Sequence, residues 1–224
     1  MPPTATPEPG LGRPTTLTRE RVLAAAVALA DREGLAAVSM RRLGQEVGVE
    51  AMSLYTHVKR KDDLLAGMVD AVVGEIALAP AGPDWKAALR LTIMGARAVM
   101  LRHPWAPRVM DQRSTPGPQT LRYLDGVMGT MRGGGLSLAV THHALHILGS
   151  RLMGFTQDLY DDSTGQDPAV AAAIAAQLGA THPHVAEMAL AASHDGGLGG
   201  CDDDVEFAVG LDLILDGLER LQAG

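Results

Sequence analysis

The chain has little of what an exported or membrane protein needs. Its single cysteine among 224 residues cannot form an internal disulfide, which fits a reducing cytoplasm. The N-terminus is rich in proline and threonine and lacks the apolar segment of a signal peptide. Because no run of about eighteen apolar residues is present, a membrane span is not predicted. We expect a soluble, cytoplasmic protein.

Aromatic residues are also scarce, at 3%, whereas hydrophobic residues make up 46% of the chain. Alanine, leucine and methionine are common, and β-branched runs are few. Neither strand alternation nor an internal repeat stands out. This composition predicts helices nearly throughout, with enough apolar surface for one or two domains.

A catalytic constellation is missing as well. The glycine run Gly133–Gly135 follows a predicted helix rather than a strand, which argues against a dinucleotide site. The segment Gly149–Arg151 lacks the second glycine of a nucleophile elbow. Cys201 precedes Asp202–Asp204, whose carboxylates disfavour a thiolate. We therefore do not expect an enzyme.

Three histidines, His142, His143 and His146, lie on one predicted helix, the first and the last one turn apart. That spacing can place two imidazoles on a metal, but no acidic or cysteine partner is near in sequence. The alternatives are a buried hydrogen bond, a surface position or a polar contact to a small molecule. The sequence thus predicts no metal site and no cofactor, and we predict His146 as a ligand contact.

The most informative stretch is residues 39–61. Ser39 is placed to cap a short amphipathic helix. Gly48 follows where the chain must turn sharply, and a second helix then buries Leu54 and Val58. Two helices joined by a short, glycine-containing turn predict a helix-turn-helix, whose second helix enters a DNA major groove.

The residues of that second helix that packing leaves free can bond to a phosphate or a base edge, or touch a thymine methyl. They are Ala51, Met52, Ser53, Tyr55, Thr56 and His57. The basic residues that follow at once suit the phosphate backbone, and they are Lys59, Arg60 and Lys61. The alternative is a small helical domain with a polar helix and a few lysines.

The charge distribution agrees with a local DNA contact. Residues 1–62 hold nine Lys and Arg against seven Asp and Glu, whereas the remaining 162 residues hold ten against nineteen. The whole chain carries a net charge of −7, which argues against a general nucleic-acid coat protein. A slightly basic front on an acidic body is typical of a protein that touches DNA with one part only.

The chain is predicted to consist of three parts. Residues 1–17 form a flexible arm, and Arg13 and Arg19 either reach a minor groove or have no role. Residues 18–79 hold the helix-turn-helix domain and a connecting helix that begins near residue 62. The proline- and glycine-rich segment before residues 83–224 marks the boundary of a second helical domain.

Residues 18–65 resemble the DNA-binding domain of TetR-type transcriptional repressors. The resemblance rests on a helix ending at Gly34, then S-M-R-R-L-G-Q-E-V-G-V, then L-Y-T-H-V-K-R-K-D-D-L-L. The remainder resembles the tetracycline-repressor-like ligand domain in Trp85, the run Arg102–Trp105, the segment Met153–Phe155 and the ending F-A-V-G-L-D-L-I-L-D-G-L-E. It implies an all-α fold, in which an N-terminal three-helix helix-turn-helix domain is joined by a connecting helix to a C-terminal helical ligand-binding and dimerisation bundle.

The resemblance also implies a homodimeric repressor that binds operator double-stranded DNA and is released by a small-molecule effector. By position it implies a phosphate contact from Lys61 and DNA contacts from Arg41, Glu50, Ala51, Met52, Ser53, Tyr55 and His57. The family's tetracycline branch has Gln-Pro in place of Ala51-Met52 and a bulky aromatic in place of Thr56. Because the lost amide is an adenine reader, we expect a different operator.

The ligand site implied by the fold departs further from that branch. A histidine there holds the drug-bound Mg²⁺ where this chain has Val109 and Met110, so a magnesium–tetracycline chelate is not expected. Methionine adapts to varied ligands, and the predicted lining is soft and apolar. It comprises Met94, Met100, Leu101, Trp105, Met110, Met128, Met131, Met153 and Phe155. The alternative for each methionine is ordinary core packing.

The final predicted helix, residues 203–221, is apolar over so broad an arc that it needs more than one partner surface. Pairing with a long helix predicted at 137–160, and with the same two helices of a second chain, supplies a four-helix interface. The alternative is burial within one monomer. A dimer is favoured because a helix-turn-helix reads half-sites about 34 Å apart, which one domain cannot span.

Two other functions fit the pattern less well. One is a transcriptional activator of the same fold. The other is a helical-bundle enzyme whose front domain docks a protein partner.

Overall fold

The structure is a computed structural model that describes residues 16–80, 82–113, 115–154, 168–191 and 202–223. These residues contain eleven α-helices and no strand, as the composition predicts. The helices are α1 Arg19–Glu33, α2 Met40–Val47, α3 Ala51–Leu54, α4 Lys61–Gly74, α5 Trp85–Arg102, α6 Ala106–Asp111, α7 Pro118–Gly133, α8 Leu138–Gly154, α9 Pro168–Thr181, α10 Pro183–Ala191 and α11 Asp203–Ala223. In the described part of the chain, no helix has the length and apolar character needed to cross a membrane.

The chain divides into two compact units that alternate along the sequence. The first holds the residues up to Glu75 together with Val99–Leu121, and the second holds Ile76–Ala98 and the residues from Arg122 onward. Helices α5 and α7 therefore each contribute to both units. The domain limits proposed above, 18–79 and 83–224, remain a prediction.

Helix α1 forms as its sequence predicts. The hydroxyl of Thr18 accepts a hydrogen bond of 3.2 Å from the amide of Arg21, which satisfies one of the free amides of the first turn. The face made by Val22, Ala26, Leu29 and Ala30 is buried. Helix α1 packs against both α2 and α4, and α3 in turn packs against α2.

The connecting helix is α4. It ends at Gly74, and Ile76 is buried in the segment beyond it. Within the first unit α4 also holds the start of α7, because Oδ1 of Asp70 accepts from the amides of Gln119 at 2.9 Å and Thr120 at 3.1 Å. A carboxylate at a helix N-terminus satisfies free amides and complements the helix dipole.

In the second unit, α8 packs against α11. The hydroxyl of Ser137 accepts from the amide of Val140 at 3.2 Å and so caps the start of α8. Helix α8 ends at Gly154, and the predicted continuation to residue 160 lies outside the described residues. Helix α11 buries one face of its broad apolar arc, namely Phe207, Leu211, Leu215 and Leu218.

Candidate nucleic-acid interface

The turn between α2 and α3 depends on two glycines. Gly48 has φ 75° and ψ 34°, a left-handed conformation that costs glycine nothing. The amide of Val49 donates to the carbonyl of Gly44 at 2.9 Å, and a Cβ on Gly44 would lie 2.8 Å from the carbonyl oxygen of Val49. Because no real Cβ tolerates that distance to backbone, glycine at position 44 lets α3 approach α2 closely.

The reading segment is a short helix followed by a turn. Only Ala51–Leu54 is helical, whereas we predicted a longer second helix, and residues 55–57 form a turn. The amides of His57 and Val58 both donate to the carbonyl of Leu54 at 2.9 Å. Leu54 and Val58 are fully buried, as predicted, so they anchor the segment at each end of the turn.

The predicted DNA contacts lie mostly at the surface. Met52 is 73% exposed and Tyr55 45% exposed. Ala51 and His57 are half-buried, and the other predicted contacts are exposed, namely Arg41, Glu50, Ser53, Thr56, Lys59 and Lys61. The hydroxyl of Thr56 donates to the carbonyl of Ser53 at 2.7 Å, so its proton is already used within the protein. Its methyl group and its lone pairs remain for DNA.

Arg41 and Arg42 differ sharply in their surroundings. The guanidinium of Arg42 lies 2.9 Å from a carboxylate oxygen of Glu33 and 3.3 Å from one of Glu46. Arg32 joins the same two carboxylates at 3.0 and 2.9 Å. Arg41 is exposed and forms neither a hydrogen bond nor an ion pair with any residue that the structure describes. Arg41 is therefore the arginine of α2 that is available to DNA.

Arg19, one of the two arginines considered for the minor groove, is held within the protein instead. Its guanidinium pairs with the carboxylate of Asp63 at 2.7 Å. The sequence does not predict this pair, since a partner 44 residues away leaves no local signal. Arg13, the other candidate, lies outside the described residues.

The predicted ligand contacts fall into both compact units. In the first unit, Met100 and Trp105 are buried, Leu101 is exposed and Met110 is half-buried. In the second, Met131 is buried, His146 is exposed, and Met94 and Met128 are half-buried. The side chain of Met153 and the whole of Phe155 lie outside what the structure describes.

Two neighbouring cavities lie in the first unit. One, of about 150 Å³, is lined by Met110 together with Val69, Arg113 and Thr120. The other, of about 280 Å³, lies beside Asp62, Leu65 and Arg113. Met110 therefore lines a cavity, whereas the indole N–H of Trp105 is bound to Asp31 at 2.7 Å. The set of ligand contacts as a whole remains a prediction.

The three histidines of α8 are all exposed. The rings of His142 and His146 pack edge to face with centroids 4.7 Å apart, and His142 lies 5.6 Å from His143 in the same manner. Among the described residues no three or more side chains of His, Cys, Asp or Glu are grouped so as to hold a metal. The histidines thus form a surface cluster on one helix.

An all-helical chain that presents a short reading helix after a glycine turn, flanked by exposed basic side chains, is a helix-turn-helix DNA-binding protein. The profile of bacterial regulatory proteins of the tetR family matches residues 22–68, and that of the tetracyclin repressor-like C-terminal domain matches residues 79–222. The chain belongs to the TetR family of transcriptional regulators.

Relatives and solved structures agree with this assignment. The HTH-type transcriptional repressor DrrR1 of Streptomyces coeruleorubidus is 31% identical over 96% of this chain and 82% of its own length. An HTH-type transcriptional regulator of Saccharopolyspora erythraea is 37% identical over 55% of this chain, a match that spans only about half of that relative, 52%. Apo ActR of Streptomyces coelicolor is similar with a TM-score of 0.75 and 25% identity, over 92% of this chain and 97% of ActR. ActR in complex with actinorhodin gives 0.73 and 27%, over 94% and 100%.

Proposed function

We propose that the protein represses transcription by binding operator DNA as a homodimer, and that a small-molecule effector releases it. The main support for the proposal is the exposed reading segment. Its side chains Met52, Ser53 and Tyr55 are exposed, whereas Leu54 and Val58 are buried and anchor it. Arg41 extends this surface from α2. The protein would act where the bacterial chromosome lies, in the cytoplasm. We propose no catalysis.

The DNA contacts divide by chemistry. Arginine can bond bidentately to guanine, and methionine can touch a thymine methyl, so Arg41 and Met52 are the candidate base readers. Lys59 and Lys61 are exposed point charges that suit phosphates. A phosphate contact carries no sequence information. Arg41 and Met52 therefore determine operator choice, and Lys59 and Lys61 determine affinity.

The dimer is supported by an apolar face that the single chain leaves exposed. On α11 the stripe Val205, Val209 and Leu213 is 50 to 65% exposed, on the side away from the buried Leu211 and Leu215. On α8, which packs against α11, Leu138 is 72% exposed and Ile147 is 47% exposed. A row of exposed apolar side chains on one helix, with further ones on the helix packed against it, is typical of a helix–helix interface.

Release by an effector is supported by the likeness to ActR, which has been crystallised with actinorhodin and with (S)-DNPA. The proposed mechanism is a population shift. In one form of the dimer the two reading segments fit successive grooves, and in the other form they do not. An effector that binds the second form better weakens DNA binding, and DNA weakens effector binding by the same factor. Actinorhodin is the first probe to titrate into a protein–DNA complex. A small molecule that binds the protein and leaves DNA affinity unchanged would contradict the coupling.

The dimer can be tested with Leu213→Glu, which places a charge in the proposed interface. We expect monomers by sedimentation velocity and a loss of DNA affinity, because one reading segment spans only one half-site. Leu91→Glu is the matched control, since Leu91 is 64% exposed on α5 and Leu213 is 65% exposed. It should behave as the wild type does. If Leu213→Glu stays dimeric, the interface lies elsewhere.

A further inference from the structure

The first residue of α1 is bound to the far end of the reading segment. Nη1 of Arg19 donates to the carbonyl oxygen of His57 at 2.6 Å, and also lies 3.2 Å from Oδ2 of Asp63. Nη2 donates to Oδ1 of Asp63 at 2.7 Å. The two Nη atoms of one planar guanidinium therefore bind the two oxygens of a carboxylate, and Nη1 also binds a backbone carbonyl. Only arginine provides this geometry.

Asp63 completes this arrangement from α4. Its Oδ2 accepts from the amide of Lys59 at 2.9 Å, so residues 57 and 59 are both fastened, one through Arg19 and one through Asp63. The hydrogen bond from Arg19 holds the pKa of the Asp63 carboxyl below its ordinary value. The carboxylate is therefore charged whenever the protein is near neutral pH.

The pair forms because α4 can come close to α1. A Cβ on Gly67 would lie 2.6 Å from Cδ2 of Leu23 and 3.2 Å from Nη2 of Arg19. Glycine at position 67 thus leaves room for the guanidinium between the helices. Any larger residue must displace the Leu23 side chain and also crowds the Arg19 guanidinium.

The reading segment needs such support because little of it is helical. Helix α3 has four residues, and the chain then turns through residues 55–57, which carry Tyr55 and His57. A single helical turn has no stability of its own in water. Besides the buried anchors Leu54 and Val58, the contacts that hold positions 57 and 59 therefore determine the direction in which Tyr55 and Lys59 point.

We propose that Arg19 and Asp63 form a clamp that fixes the orientation of residues 55–59 for DNA, with Arg19 a positioning residue that does not itself touch DNA. The clamp rests on the proposed function of DNA binding and deepens it. It explains why a basic residue beside the DNA-reading surface is turned inward onto a carboxylate. Through the clamp, the start of α1 contributes to operator affinity, although no side chain of α1 needs to reach the duplex.

The test uses the full-length protein and a duplex that the wild type selects from a random library. Arg19→Gln should weaken binding about tenfold, the equivalent of one charge-assisted hydrogen bond. The slope of affinity against salt should not change, because no phosphate contact is lost. Arg32→Gln is the matched control: it removes an ion-paired arginine at the other end of the same helix, and its affinity should stay within about twofold of the wild type.

A double-mutant cycle separates positioning from general damage. If the clamp acts as a unit, Arg19→Gln with Asp63→Asn should lose no more affinity than the more damaging of the two single changes. Additive losses, an unchanged affinity for Arg19→Gln, or a salt slope lowered by about one phosphate contact would overturn the proposal. If the wild type selects no duplex, the proposed function itself fails, which is a different result.

Arg19→Lys keeps the charge and serves if Arg19→Gln does not fold. Lysine is a point charge without the fixed fork, so it should hold Asp63 but place residue 57 less well, with a loss of about threefold and an unchanged salt slope. Wild-type affinity in Arg19→Lys would show that charge alone suffices and would overturn the clamp.

Discussion

The indole N–H of Trp105 donates a hydrogen bond of 2.7 Å to Oδ1 of Asp31. The same oxygen lies 2.9 Å from Nδ1 of His103, whose other ring nitrogen lies 3.4 Å from Glu75. Asp31 belongs to the last turn of α1, whereas Trp105 stands at the corner between α5 and α6. Within the first unit, the helix that supports the reading segment is thus bonded to the end of α5.

Removal of that carboxylate should destabilise the protein. Trp105 and His103 are each only 7% exposed, so Asp31→Ala leaves two buried polar groups without their partner. We expect a loss of about 1–3 kcal/mol in the free energy of unfolding, the cost of an unsatisfied buried donor, measured by urea titration. Asp125→Ala, on an exposed position of α7, is the control and should stay within about 0.5 kcal/mol of the wild type. Equal effects of the two changes would mean that the Asp31 contacts contribute nothing.

Substitution of Gly48 should distort the turn in proportion to how poorly the new residue accepts a positive φ. Gly48→Ala should cost about 1–2 kcal/mol of stability, and Gly48→Asn less, because asparagine visits the left-handed region more readily. Thermal and urea unfolding report both values.

Gly129→Ala is the control for that substitution. Gly129 lies in α7, and a Cβ there meets nothing within 4 Å. The change should stabilise the protein by about 0.5–1 kcal/mol, since alanine is the better helix former. If Gly129→Ala destabilises the protein as much as Gly48→Ala does, the positive φ of Gly48 is not the cause of the loss.

Arg41→Ala and Arg42→Ala remove the same charge from neighbouring positions. Arg41 has no partner among the residues that the structure describes, whereas Arg42 is engaged by Glu33 and Glu46. We expect Arg41→Ala to cost ~1–3 kcal/mol of binding at the selected duplex and much less on random DNA. Arg42→Ala should have a smaller effect on both. If Arg41→Ala weakens binding equally on selected and random DNA, Arg41 contacts a phosphate and does not read a base.

Tyr123 should make the protein sensitive to alkali. Burial raises the pKa of Tyr123 to about 12, so the folded state holds the phenolic proton more tightly than the unfolded state, where the ordinary value is about 10. This contribution is fully present below pH 10 and is lost as the pH rises through 12. Between pH 9 and pH 11 the wild type should lose about 1 kcal/mol more unfolding free energy than Tyr123→Phe. Parallel losses in the two proteins would show that Tyr123 ionises as easily when folded.

The features of the fold that depend on residues close together in the chain could be predicted from the sequence. Thr18 and Ser39 cap α1 and α2, Gly48 takes the left-handed turn, and Leu54 and Val58 are buried, each as its spacing indicates. The start of α4 was placed within one residue. Caps, turns and apolar spacing act over three or four residues, so they can be read directly from the sequence.

What the sequence did not reveal depends on long-range partners. The inward turn of Arg19 and the bond from Trp105 to Asp31 link residues 44 and 74 positions apart. The early end of the reading helix at Leu54 was missed although Tyr55, Thr56, His57 and Val58 are all weak helix formers. The ligand contacts stay a prediction because they rest on fold-level resemblance and not on spacing.

Sequence-specific DNA binding can be measured directly by fluorescence anisotropy of the full-length protein on its selected duplex and on a scrambled duplex of the same composition. Each duplex is measured at low and at physiological salt. A sequence-reading repressor should prefer the selected duplex at least about a thousandfold, and its affinity for both duplexes should fall steeply as salt rises. Equal affinity for the two duplexes, or binding that salt does not weaken, would contradict a sequence-reading helix-turn-helix and with it the assignment of a DNA-binding repressor.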